Sequence, residues 1–291
     1  MALPAERLSR MHGLVQPNMI TEGITGRQLS RILKDAAIEA EKLIASNLAK
    51  NTIGGRVRAA QLGKAVAGLG EISTELWTEV GKVTQAGMYQ AAKLAADQVI
   101  DRDFFLGMPG KAILQYADQV HFEAAHSVES LISRRTDGVA LKDRIYANGR
   151  AGVKRAGVVV ERGLALQKGH REIAKDVRHL FDPNVPGGTS YAAKRLARTE
   201  INNAHHSTTI RLGQDRPWVQ GFKWNLSKSH PRPDACDTYA DRIFSKQDAP
   251  SKPHPQCLCY LTHVQDDPDE FMDNLVNGKY DNWMDEKGVV C

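Results

Sequence analysis

In stretch after stretch between Arg27 and Gly213, the apolar residues recur every three or four positions and seldom alternate. A strand needs a period of two, so this pattern confines most of the chain to helices. Residues 27–50 put Leu29, Ile32, Leu33, Ala36 and Ala40 on one face. Residues 51–70 carry five glycines, which predicts flexible or loosely helical chain there. A long helix is expected from about 71 to 100, with Ile72, Leu76, Val80, Val83 and Leu94 in one stripe. Pro109 breaks the pattern, and 111–135 resumes it through Ala117, Val120, Ala124, Val128 and Leu131. Only 6% of the residues are aromatic, which suits helices better than a β-sandwich.

The stretch "RTDGVAL" at 135–141 reads as a boundary. Beyond it, helices are expected over 141–169 and 170–181, punctuated by Gly169, and over 189–213, closed by Gly213. The texture then changes. "WVQGFKWNLS" (218–227) and "CLCYLTHV" (257–264) have the β-branched and aromatic content of strands, with Trp218 and Trp224 as core anchors of a small subdomain. The expected fold is therefore mainly α: a helical N-terminal region (1–136), then a helical module with a small α+β Cys/His knuckle (137–264), then an acidic tail (265–291). The long N-terminal helices suit packing or assembly with further copies of the chain.

Net charge is +5, unevenly spread. Residues 265–287 hold eight acidic and two basic residues, a balance of −6, so the remainder sums to +11. The tail also carries Phe271, Met272, Leu275, Tyr280 and Trp283, which predicts a short docking helix and not a solvating tail. The basic body suits an anionic partner such as double-stranded DNA, through Lys142, Arg144, Arg150, Lys154, Arg155 and Arg162, with Lys168 and Arg171 beyond them. Solvated helix faces account for the same residues. No apolar run approaches the ~20 residues that span a bilayer, and the charged N-terminus does not read as a secretory signal. Folding in a cytoplasm, where thiols stay reduced, is the expectation.

Three of the four cysteines fall within 230–263, alongside three histidines and five prolines. Cys236 and the H-x-x-C-x-C set of His254, Cys257 and Cys259 have the types and separation of a tetrahedral zinc site, with His230, Asp234 and Asp237 as alternates. Pro231, Pro233, Pro253 and Pro255 stiffen both approaches and lower the entropy lost on ordering the ligands. Buried unliganded thiols, or a disulfide from Cys236 to Cys257 or Cys259, are the alternatives. Cys291 at the terminus reads as incidental.

Taken together, "ARTEINNAHHSTTIRLG" (197–213), "FKWNLSKSHPRPDACDTYA" (222–240) and "KPHPQCLCYLTHV" (252–264) resemble the phage Mu F-like minor head proteins, also called phage head morphogenesis proteins. The upstream "GLALQKGHREIAKDVRHLF" is similar to that family's helix leading into the Arg-Thr-Glu segment, so the likeness spans 139–264. Its carriers are Arg198, Thr199, Glu200, Trp224, Pro231 and Asp237 with the Cys/His residues. The resemblance implies a virion component, made in the bacterial cytoplasm and placed at the portal vertex or head interior in few copies. It would contact the portal protein, and the major capsid or scaffold protein, and assist head assembly or DNA delivery. Many relatives offer a further cysteine where this chain has Tyr239, so His254 or a carboxylate must complete the ligand set here. Arg198 and Glu200, two apart on a helix, are expected to anchor that helix to the knuckle.

A metal-dependent hydrolase or nuclease is the main rival, built on Glu200, His205, His206 and His230. Adjacent histidines point about 100° apart on a helix, which disfavours a shared ion. No H-E-x-x-H, G-x-S-x-G or Walker sequence occurs. A thiol nucleophile at Cys236 or Cys257, with His254 or His230 as base, is the other catalytic arrangement. Catalysis is not the expected role.

Overall fold

The computed structural model describes residues 23–49, 55–134, 139–182, 185–228, 230 and 233–289. Pro231, Cys291 and most of the expected boundary at 135–141 lie outside them. The chain is mainly helical, with a small antiparallel sheet and a Cys/His cluster toward the C-terminus. The elements run α1 (Ile24–Ala49), α2 (Gly55–Phe105), α3 (Gly110–Ser133), α4 (Leu141–Ala165), α5 (His170–His179) and α6 (Thr189–Asp215). There follow β1 (Val219–Asn225), a 3-10 turn (Ala235–Tyr239), β2 (Ile243–Ser245), β3 (Tyr260–Gln265), α7 (Pro268–Val276) and α8 (Asp281–Glu286).

The described residues form two compact units, and each takes chain from both sides of residue 137. One comprises α1, α4, α5 and the early parts of α2 and α6. Here α2 is helical through the glycines expected to loosen it, running 51 residues. Glycine costs about 1 kcal/mol relative to alanine within a helix, but at two positions the missing side chain is what permits contact. A Cβ on Gly68 would sit 2.8 Å from Leu43 Cδ2, and one on Gly81 would sit 3.1 Å from Ile145 Cδ1. The inner face of α4 is likewise built of small residues: Gly149 lies against Trp77, Gly152 against Thr189 and Gly163 against Ile173. Ser73 Oγ donates to the Gly149 carbonyl at 3.0 Å, joining α2 to α4.

The second unit comprises residues 87–131 and 199–289, with the sheet in the order β2-β1-β3. Phe222 of β1 faces Phe244 of β2 and His263 of β3. Gly213, expected to close its helix, lies inside α6 instead, since a Cβ there would fall 2.6 Å from Phe222 Cε1. β3 begins at Tyr260, later than expected, because Cys257–Cys259 are spent on the loop before it. The acidic tail folds into α7 and α8. Asp267 caps α7 by accepting from the Asp269 and Glu270 amides, ahead of Pro268 in the first turn.

Trp218 does not serve the knuckle, as expected of it, but this tail. Its ring packs edge-on to Phe271, Tyr280 and Trp283 at centroid distances of 5.4, 5.4 and 4.7 Å. Its indole N–H donates to Asp103 Oδ1 at 2.8 Å, while Arg216 Nε and Tyr116 Oη donate to Asp103 Oδ2 at 2.8 and 2.9 Å. Asp103 and Arg216 are both fully buried; Arg216 Nε donates to Asp103 and its Nη1 to the Leu212 carbonyl at 2.8 Å, while its Nη2 has no partner among the described residues.

Candidate metal centre

Trp224, at the other end of β1, packs with Phe222, Leu261 and the three thiols of Cys236, Cys257 and Cys259. All three cysteines are free and at most 2% exposed. The 3-10 turn aims Cys236 inward. Asp234 Oδ1 accepts from the Cys236 amide at 2.7 Å, and Asp237 Oδ2 accepts from the Asp234 amide at 2.6 Å, so the D-x-C-D run caps itself from both directions.

His254, Cys257 and Cys259 come from the loop between β2 and β3, which turns at Gln256 with a left-handed φ of 62°. The Gln256 amide donates to Thr199 Oγ1 of α6 at 3.0 Å. Of the Arg-Thr-Glu segment, Thr199 makes this tie to the knuckle. Glu200 is buried and Arg198 half-buried, and both have partners.

The loop and the turn bring Cys236, His254 and Cys257 into one cluster that could hold a metal ion, their ligand atoms all within 4.8 Å of one another. Cys236 Sγ lies 3.4 Å from Cys257 Sγ and 3.2 Å from His254 Nε2. His254 Nδ1–H donates to the Pro255 carbonyl at 2.9 Å, which leaves the Nε2 lone pair free to ligate. Cys259 stands beside this group, hydrogen-bonded to Cys257 and 4.0 Å from His230 Nδ1. His230 is oriented in the same manner, since its Nε2 donates to Asp237 Oδ2 at 3.0 Å. Its contact with Asp237 raises its affinity for protons. His230, Asp234 and Asp237 make a second, more exposed cluster against the first, joined by the 3.1 Å contact of Asp234 Oδ2 with His254 Nε2.

Burial pushes the Cys236 thiol up to about 12, so without a cation it stays protonated. Cys257 is drawn below the ordinary thiol value by its hydrogen bond with Cys259 and by the Lys252 ammonium. Lys252 escapes the sequence reading. Its Nζ donates to the Cys257 carbonyl at 3.1 Å and to that of Cys259. The signal was present as a lone lysine opening K-P-H-P-Q-C-L-C, but lysines are usually surface residues.

No protein-family model, curated protein or solved structure matches this chain.

His205 and His206 do not join any ligand cluster among the described residues. Both are buried, and desolvation pushes each down to about 3. His206 Nε2 donates to the Pro250 carbonyl at 2.8 Å and its ring stands edge-on to Trp224, while His205 bonds Gln98. They brace α6. The basic candidates of α4 divide by exposure: Lys142, Arg150, Lys154 and Arg162 face solvent, while Arg144 and Arg155 are half-buried. No helix among the described residues is long and apolar enough to cross a membrane.

Proposed function

We propose that this chain is a phage minor head protein of the Mu F-like class, a structural adaptor at the portal vertex or head interior whose knuckle is braced by zinc. One observation carries the proposal. The three separated segments that bear the resemblance meet at one place: Thr199 holds the Gln256 amide, and the Asp234–Cys236 turn faces His254 and Cys257. Segments so far apart in sequence have a common reason to keep these residues if they build one centre.

The donor set suits zinc. Bond lengths of about 2.3 Å to sulfur and about 2.0 Å to nitrogen give tetrahedral edges of roughly 3.8 and 3.5 Å. The 3.4 Å sulfur–sulfur and 3.2 Å sulfur–nitrogen separations need only small outward shifts to reach them. The thiols of Cys236, Cys257 and Cys259 are buried in one cluster with Trp224, which suits a structural ion. Zinc would supply cohesion that this short, loop-rich region lacks in apolar area. The portal protein, the major capsid or scaffold protein, and further copies of the chain are the partners proposed.

Quantitative mass spectrometry of purified virions from a lysate making this protein tests the role. A few copies per particle are expected. Presence in infected cells but absence from particles would point to an assembly factor that departs, or to an enzyme. Native mass spectrometry tests the metal, with one zinc per chain expected.

A second proposal, contact with duplex DNA, draws on α4. Lys142, Tyr146, Arg150, Lys154, Val158 and Arg162 follow one another at four-residue steps, all exposed. Among the described residues the four cations of that row have no carboxylate partner. Affinity for duplex that falls steeply with salt is expected, and a flat salt response would reject it.

A further inference from the structure

We infer that Lys252 is the built-in counter-cation of the metal centre, and that the centre takes three thiolates and one imidazole around a divalent thiophilic ion. The inference rests on the metal reading above and specifies its ligand set.

A lysine amine withdrawn from water is normally paired with a carboxylate. Lys252 has no such partner among the described residues, and its hydrogen bonds go to two backbone carbonyls, those of Cys257 and Cys259. Carbonyl dipoles hold an ammonium in place but do not neutralise it. Burial disfavours the ammonium most, and the groups that favour it are Cys236, Cys257 and Cys259, which are anionic when they bind a metal. A dication with three thiolates and a neutral imidazole carries one net negative charge, which the ammonium cancels. Two thiolates with two imidazoles would already be neutral and would leave the half-buried lysine as a surplus charge.

The imidazole is that of His254, whose Nε2 lies in the compact group with Cys236 and Cys257. His230 remains behind Cys259, paired with Asp237 on the exposed rim, where water screens the carboxylates.

The same two hydrogen bonds shape the loop. Because the ammonium grips the carbonyls on either side of Leu258, it holds the C-x-C turn in the form that brings both sulfurs to one side. Lys252 is therefore a positioning residue as well as a charge, comparable to the outer partners that orient ligands in other metal sites.

The test uses the full chain loaded with zinc. X-ray absorption at the zinc edge should count three sulfurs and one nitrogen, and two or fewer sulfurs would overturn the inference without any variant being made. Zinc affinity, measured by chelator competition, should fall about 10–100-fold in Lys252→Met and be largely kept in Lys252→Arg. Equal affinity of Lys252→Met and the unaltered protein would reject the role of Lys252 while leaving the metal site standing. A protein that binds no zinc at all would reject the site itself. The stability of the zinc-free forms separates a metal role from a purely structural one. Lys252→Met should match or exceed the unaltered protein when both are zinc-free, and a loss there as large as in the loaded form would overturn the inference.

Discussion

Trp218 and Trp224 stand at the two ends of β1 and are held by opposite means. Around Trp218 the chain supplies three aromatic rings, a buried ion pair and an Asp103 carboxylate that accepts from three donors, with Arg216 Nη2 left without a partner among the described residues. Around Trp224, Phe222 and Leu261 pack with three thiols, with His206 and Tyr239 edge-on to the indole, and its N–H has no acceptor among the described residues. The first end is held by rings and a buried ion pair that the chain itself supplies. The second brings together the groups that a cation needs, from a stretch of chain too short and too rich in proline to make an apolar core.

The difference predicts how each end fails. Replacing Asp103 with alanine strands the Arg216 guanidinium in a dry interior, and should cost about 3–5 kcal/mol in urea unfolding. The loss should be the same with or without a chelator. A loss that depends on the chelator would show that the two ends are not independent.

Acid should act on the region between them. His205, His206 and His263 are buried, and each is pushed from an ordinary 6.5 down to about 3. The folded state therefore binds fewer protons than the unfolded chain between those values, and stability is lost as pH falls below 6.5. At pH 5.5 the expected loss is about 1.4 kcal/mol per histidine, or about 4 kcal/mol for three acting independently. Thermal unfolding from pH 7.5 to 5 measures it, and a flat profile would mean that these rings are hydrated.

Zinc should act only at the Trp224 end. At a hundredfold excess over its dissociation constant it should add about 2.7 kcal/mol, which a chelator removes. Cys257→Ser should abolish that gain and make the protein indifferent to chelator. The smallest effect belongs to the tail. Asp267→Ala removes the cap of α7 and should cost about 1 kcal/mol, read as lower hydrogen-exchange protection of Phe271 and its neighbours.

Much of this was legible in the sequence, and the failures have physical causes. The apolar period found α1, α3 and α5 because each buries one stripe against a neighbour, and it found α6 although residues 200–213 are buried nearly all round. Spacing alone brought Cys236 together with His254 and Cys257. The glycines of α2 misled because propensity speaks for an isolated helix, whereas Gly68 and Gly81 admit Leu43 and Ile145 from elsewhere in their unit. β2 escaped notice because three residues, Ile243–Ser245, cannot display a period. The role of Trp218 was hidden by distance, since Asp103 lies 115 residues before it and a lone aspartate within a helix announces nothing. Lys252 was hidden by its type.

The closure around Trp218 also has a consequence in time. Asp103 emerges from the ribosome early, but the ring of Trp283 that packs on Trp218 follows only after about 180 further residues, or roughly ten to forty seconds at about 5–20 residues per second. Throughout that interval a carboxylate destined for a dry interior is still hydrated, and α2 and α3 have no lid. Any factor that must hold this chain open, to load a metal or to seat it on a partner, has until the last helix is made.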